Sequence, residues 1–131
     1  MRYPIAIEAG SEGTAFGVVV PDLPGCFSAG DTLDEAIVNA QEAIAAWVEA
    51  ELDAGRSVPE AGDLGALQRQ RAYKGWIWAV AEVDPARFDE TIERVNISLP
   101  RRVLSKLDAA ARAAGETRSG YIARLAVTNG P

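Results

Sequence analysis

Histidine is absent from this chain of 131 residues, and Cys26 is its one cysteine. Without histidine, zinc sites and Ser/His or Cys/His catalytic pairs lose their usual ligand and base, and a single cysteine cannot close an internal disulfide. Long apolar runs are missing too. No stretch approaches the roughly 20 residues that span a bilayer, and the opening MRYPIAIEAG lacks the apolar centre of a signal peptide. The expectation is a cytoplasmic protein with no membrane partner, no cofactor and no metal. Apolar material is nonetheless plentiful in short pieces: 48% of the residues are hydrophobic, enough to bury a core.

The net charge of −6 conceals an asymmetry. Residues 1–83 hold 5 Lys/Arg against 13 Asp/Glu, a balance of −8, whereas residues 84–131 hold 8 against 6, a balance of +2. From Arg94 onward the contrast sharpens to 7 basic residues against Asp108 and Glu116, or +5 in 38 residues. An acidic body with a basic end implies different partners for the two parts, and the end is the candidate for nucleic acid.

In the front part, Tyr3, Ile5 and Ile7 alternate with Pro4, Ala6 and Glu8, the period of a strand, with the proline placed for an edge or a strand beginning. A turn over Ser11–Glu12–Gly13–Thr14 leads to a second strand within Ala15–Val20. Pro21–Asp22–Leu23–Pro24–Gly25 ends it, and Cys26–Ala29 supplies a short third strand. Thr32–Leu33–Asp34–Glu35 reads as a capping box that opens a long helix, with Leu33, Ala36, Ile37, Ala40, Ile44, Trp47, Val48 and Leu52 on its apolar stripe and Gly55 as its stop. Residues 56–74 read as a connection with at most a short helix around Leu64–Arg69. Trp76–Val83 forms a further strand with two apolar faces, so Trp76 and Trp78 belong either to a core or to an interface.

After a linker over 84–93 the pattern changes. Val95, Ile97 and Leu99 alternate with Arg94, Asn96 and Ser98 up to Pro100. Two helices follow, about Arg101–Ala114, stopped by Gly115, and a second N-capped by Thr117, ended by Asn129–Gly130–Pro131. One strand has nothing to pair with inside such a short unit. Two copies solve this by pairing their strands antiparallel, with Val95, Ile97 and Leu99 inward as a dimer core and Arg94, Asn96 and Ser98 outward on a ribbon that fits a DNA major groove. Arg suits guanine, Asn adenine, and Ser either edge. The amides near Arg118 and Ser119, at the start of the second helix, suit a phosphate.

The run Arg94–Val95–Asn96–Ile97–Ser98–Leu99–Pro100, with Asp108 and Gly115–Glu116–Thr117–Arg118–Ser119, resembles the ribbon-helix-helix repressors. That resemblance puts base contacts on Arg94, Asn96 and Ser98 and a phosphate clamp on Arg118 and Ser119. The strand with Tyr3 and Ile5, the loop Val20–Cys26, and Ser28–Ala29–Gly30–Asp31–Thr32 leading to Glu35–Ala36 resemble the HicB antitoxins. Together these imply an α+β chain in three parts: a partial ribonuclease-H-like domain over 1–83 (antiparallel sheet plus one long helix), a linker over 84–93, and a ribbon-helix-helix domain over 94–131. They also imply a HicA-type ribonuclease toxin and double-stranded operator DNA as partners, and a homodimer through the tail, with higher oligomers left open.

Active ribonuclease-H relatives hold metal ions with several carboxylates, starting in the first strand. Here Ile5, Ala6 and Ile7 fill the middle of that strand, and Asp22, Asp31 and Asp34 suit a turn and a helix start, so no catalysis is expected. Cys26 reads as a small core residue. No toxin-contacting residue is assigned. The competing reading is a stand-alone repressor whose front domain binds a small effector.

Overall fold

A computed structural model describes residues 1–11 and 13–129 of the chain. Glu12 of the expected first turn, and Gly130 and Pro131 of the expected end of the last helix, lie outside the described residues. Contacts divide the chain into two compact units, residues 1–90 and 91–131.

The first unit carries β1 (Arg2–Glu8), β2 (Phe16–Val19), β3 (Phe27–Gly30), α1 (Leu33–Asp53), α2 (Leu64–Gln68) and β4 (Ile77–Glu82). The strands form one sheet in the order β3-β2-β1-β4, with every neighbouring pair antiparallel. β1 is therefore an inner strand. Pro4 is tolerated there because β2 pairs β1 only over Ala6–Glu8, so at Pro4 the ladder has a partner on the β4 side alone.

Register assigns the two faces. Tyr3 pairs with Ala81, Ile5 with Ala79 and Ile7 with Val18 and Ile77. On this face Tyr3, Ile5, Ile7, Val18 and Ala81 form the core with Ala36, Ala40, Ile44, Ala45 and Val48 of α1. The small side chains of Ala36 and Ala40 let α1 approach the sheet closely, while Leu33, expected on the same stripe, is 37% exposed. Cys26 is buried in this core, and desolvation raises its thiol pKa, in keeping with a packing role.

The ends of α1 follow from local chemistry. The Thr32 Oγ1 accepts from the Glu35 amide at 3.1 Å, which satisfies one orphan donor. The reciprocal bond expected of a full capping box, from the Thr32 amide to the Glu35 carboxylate, is not made among the described residues, and Glu35 is exposed. Gly30 stands just before this cap. A Cβ on Gly30 would lie 2.3 Å from the Ala36 amide nitrogen and 2.7 Å from Ala36 Cα, so only glycine lets β3 run into the first turn of α1. Gly30→Ala is expected to lower stability by about 1–3 kcal/mol, the range for overpacking. Urea unfolding checks this, and an unchanged midpoint would mean that the junction has slack.

The expected linker starts too early. Residues Pro85–Phe88 form a 3₁₀ turn that belongs to the first unit: Phe88 packs on the core, and Arg87 reaches Glu49 of α1 at 3.1 Å and Glu42 at 3.8 Å. Asp84 caps the turn, accepting from the Ala86 amide at 2.9 Å. The connection from α1 to β4 also holds more order than expected. Asp63 caps α2, Leu67 is buried, and Arg71–Tyr73 form a second 3₁₀ turn. The Tyr3 hydroxyl ties this connection to β1 by donating to the Pro59 carbonyl at 2.7 Å.

The second unit holds α3 (Arg101–Ala113) and α4 (Arg118–Asn129). Gly115, at φ +69°, closes α3: its amide donates to Arg112 O at 3.0 Å and the Glu116 amide to Ala111 O at 2.9 Å. Thr117 then caps α4 through Gly120, at 3.1 Å. Residues 94–99, expected as a strand, belong to no helix or strand among the described residues and pair with no other segment there.

Candidate functional site

The second unit is short of a core. Among its described residues only Ala111 is buried; Val103, Leu104, Leu107, Tyr121, Ile122 and Leu125 are half-buried. Ahead of them Val95 is 81% exposed and Ile97 63%, with Leu99 at 38%. These three apolar side chains alternate with Arg94, Asn96 and Ser98, so a strand there would sort them onto opposite faces. A surface this apolar demands cover.

One feature of this unit is rigid. Arg118 at the start of α4 grips Asp108 of α3 with two parallel bonds, Nε to Oδ1 at 2.8 Å and Nη2 to Oδ2 at 2.9 Å. The Arg118 side chain thus braces the corner between the helices. The helix still leaves the amides of Arg118 and Ser119 without intrahelical acceptors, so a phosphate role there would rest on backbone donors. Arg124 similarly pairs with Glu116 and lies over the Tyr121 ring at 5.1 Å. Arg94, Arg101, Arg102, Lys106 and Arg112 have no ion pair among the described residues.

Asp108 gives the brace a pH dependence. Its hydrogen bond from Arg118 holds the carboxyl below its ordinary pKa. A carboxylate with a depressed folded pKa contributes stability above the unfolded value and loses it as pH falls through the folded one. Acidification is therefore expected to loosen the α3–α4 corner, seen as a change in α4 amide chemical shifts that Asp108→Asn already shows at neutral pH. A corner that titrates identically in wild type and Asp108→Asn would remove Asp108 as its cause.

In the first unit α1 covers one sheet face only. On the other, register aligns Trp78, Ala6, Val19 and Phe27 in a row across all four strands, with Pro4 and Val80 alongside. Phe27 is 65% exposed and Val80 49%. The sequence left Trp76 and Trp78 between core and interface; both are half-buried, and both meet Tyr73 edge-on, with centroids 5.3 and 5.5 Å away. The carboxylates of the early strands do not converge: among the described residues no group of three His, Cys, Asp or Glu could hold a metal. Nor is any described helix long and apolar enough to cross a membrane.

A four-stranded antiparallel sheet backed by one long helix, followed by a basic helical pair, defines an α+β protein of two units. The model of the HicB-like antitoxin of bacterial toxin-antitoxin systems matches residues 3–126, and the chain belongs to that family. It is 40% identical to the crystal structure of the Burkholderia pseudomallei antitoxin HicB, which aligns with 100% of this chain and 99% of that one at a TM-score of 0.64. It is 36% identical to a chain of a HicA3–HicB3 toxin-antitoxin complex, over 65% of this chain and 100% of that one, at a TM-score of 0.56. A 14.9 kDa protein from the rep-hol intergenic region of Haemophilus phage HP1 is 38% identical over 128 residues, 96% of this chain and 95% of its own.

Proposed function

We propose that this chain neutralises a HicA-type ribonuclease toxin through its first unit and represses its own operon through its second, which dimerises as a ribbon-helix-helix domain on operator DNA. The observation that carries the second half is the exposed alternation of residues 94–99 ahead of two helices with one buried residue between them. Pairing two such segments would form a two-stranded ribbon, cover Val95, Ile97 and Leu99, and turn Arg94, Asn96 and Ser98 toward base edges. The basic residues without ion pairs, Arg101, Arg102 and Lys106 among them, would then meet phosphates, which position the ribbon without reading sequence.

The first half is supported by likeness to a HicB chain seen with HicA, whose aligned part amounts to 65% of this chain. The acidity of residues 1–83 suits a basic RNA-binding partner, because opposite charge speeds encounter. On this reading the front domain is a partial ribonuclease-H fold that binds and has no catalytic role, and the protein works in the cytoplasm. Co-expression with the neighbouring gene tests it: the two proteins should co-purify, and growth should be restored in cells making the toxin. Failure of both favours the stand-alone repressor.

A further inference from the structure

The first unit is acidic, yet three of its basic residues gather at one concavity. Arg69, Arg71 and Lys74 line a cavity of about 330 Å³ together with Tyr73, Trp76 and Trp78. Every other basic side chain of the unit has a carboxylate partner: Arg2 with Glu82, Arg56 with Glu51, and Arg87 with Glu42 and Glu49. Among the described residues the three in the cavity have none, so their charge is available to a ligand.

The three rings beside them are half-buried and locked edge-to-face through Tyr73, at interplanar angles of 71° and 83°. Such an assembly loses little freedom on binding, and its accessible ring surface offers a stacking contact. The volume sits at the small end of ligand pockets, the size for one flat group rather than a large molecule. Cations beside a stacking platform are the combination that holds single-stranded nucleic acid, the phosphates by charge and the bases by their faces. Duplex DNA does not fit, because its bases are stacked on one another. A basic protein does not fit either, since the cavity repels it. The carboxylates elsewhere in the unit act at a distance that salt screens, with a Debye length of about 8 Å at physiological ionic strength.

We infer that this cavity binds a nucleotide with an exposed base, stacked on Trp76 with its phosphate on Arg69, Arg71 and Lys74, either free or within single-stranded RNA. The site lies wholly within the first unit and is independent of the operator-reading role proposed for the second.

The test uses the full chain and fluorescein-labelled hexa-adenylate RNA, followed by fluorescence anisotropy. Three variants are compared: Arg71→Glu with Lys74→Glu, Trp76→Ala, and Arg94→Ala with Asn96→Ala. Each cavity variant should weaken binding roughly ten-fold, the scale of losing one stacked base, while the tail variant leaves it unchanged. Circular dichroism confirms that the exposed charge reversals preserve the fold. Competition by AMP identifies a free nucleotide as sufficient, and its absence identifies a strand as the ligand; either result supports the site. The inference is overturned if wild-type protein fails to bind at millimolar RNA, or if binding is lost in the tail variant and kept in the cavity variants. It is also overturned if Trp76→Ala binds normally, since charge alone then accounts for the signal, or if the cavity variants keep RNA and lose the toxin, which would make the cluster a protein contact.

Discussion

Alanine at both Arg94 and Asn96 is expected to reduce operator affinity by about three orders of magnitude or more, to the non-specific level, while rescue of growth from the toxin is unchanged. Each base contact is worth roughly 1–3 kcal/mol, and two-fold symmetry makes each substitution count twice. Both side chains are exposed in the single chain and support no packing, so the fold should stand without them. Electrophoretic mobility shifts on the operator, paired with the growth assay, measure the two activities separately. Normal operator binding by the double variant would remove these residues from the groove. Poor binding together with failed rescue would show that the two units do not divide the labour.

A charge at Ile97 should have the opposite signature: DNA binding fails because the dimer fails. Ile97 is 63% exposed in one chain and would be enclosed by its partner, so Ile97→Asp places an uncompensated charge at the centre of the pairing. Such a charge costs about 3–5 kcal/mol per chain, enough to weaken association by a factor on the order of 10³ or more. Sedimentation should show one chain mass at micromolar concentration, with the first unit still folded. A variant that remains dimeric would place the dimer interface elsewhere, and the ribbon with it.

Local signals in the sequence carried most of the elements. Thr32 and Thr117 cap their helices as their side-chain chemistry requires, and Gly115 ends α3 with the positive φ that glycine supplies. Pairings between distant residues were not legible. Nothing in the alternation of Tyr3, Ile5 and Ile7 says that β1 lies between β2 and β4, because strand order depends on contacts as far as 80 residues apart, such as Arg2 with Glu82. Arg118 and Asp108 were both singled out, but their bond across the corner emerges only when Gly115 folds α4 back on α3. The ion pairs of Arg87 extended the first unit into the expected linker for the same reason. The cavity did have a signal, the interleaving of cations and rings from Arg69 to Trp78, obscured by the reading of that stretch as connection.

The unequal burial of the two units sets a concentration scale. The first closes its core within one chain, so its readiness for a partner does not depend on how much antitoxin the cell contains. The second, with Ala111 as its one buried residue among those described, would complete its structure by pairing, and the concentration of the paired form would rise with the square of the free chain concentration. As antitoxin is diluted or degraded, the repressing form would disappear first, while single chains could still hold toxin. Synthesis would then resume before neutralisation is lost, and on the proposed reading a shortage of cover in one small unit would act as a sensor of supply.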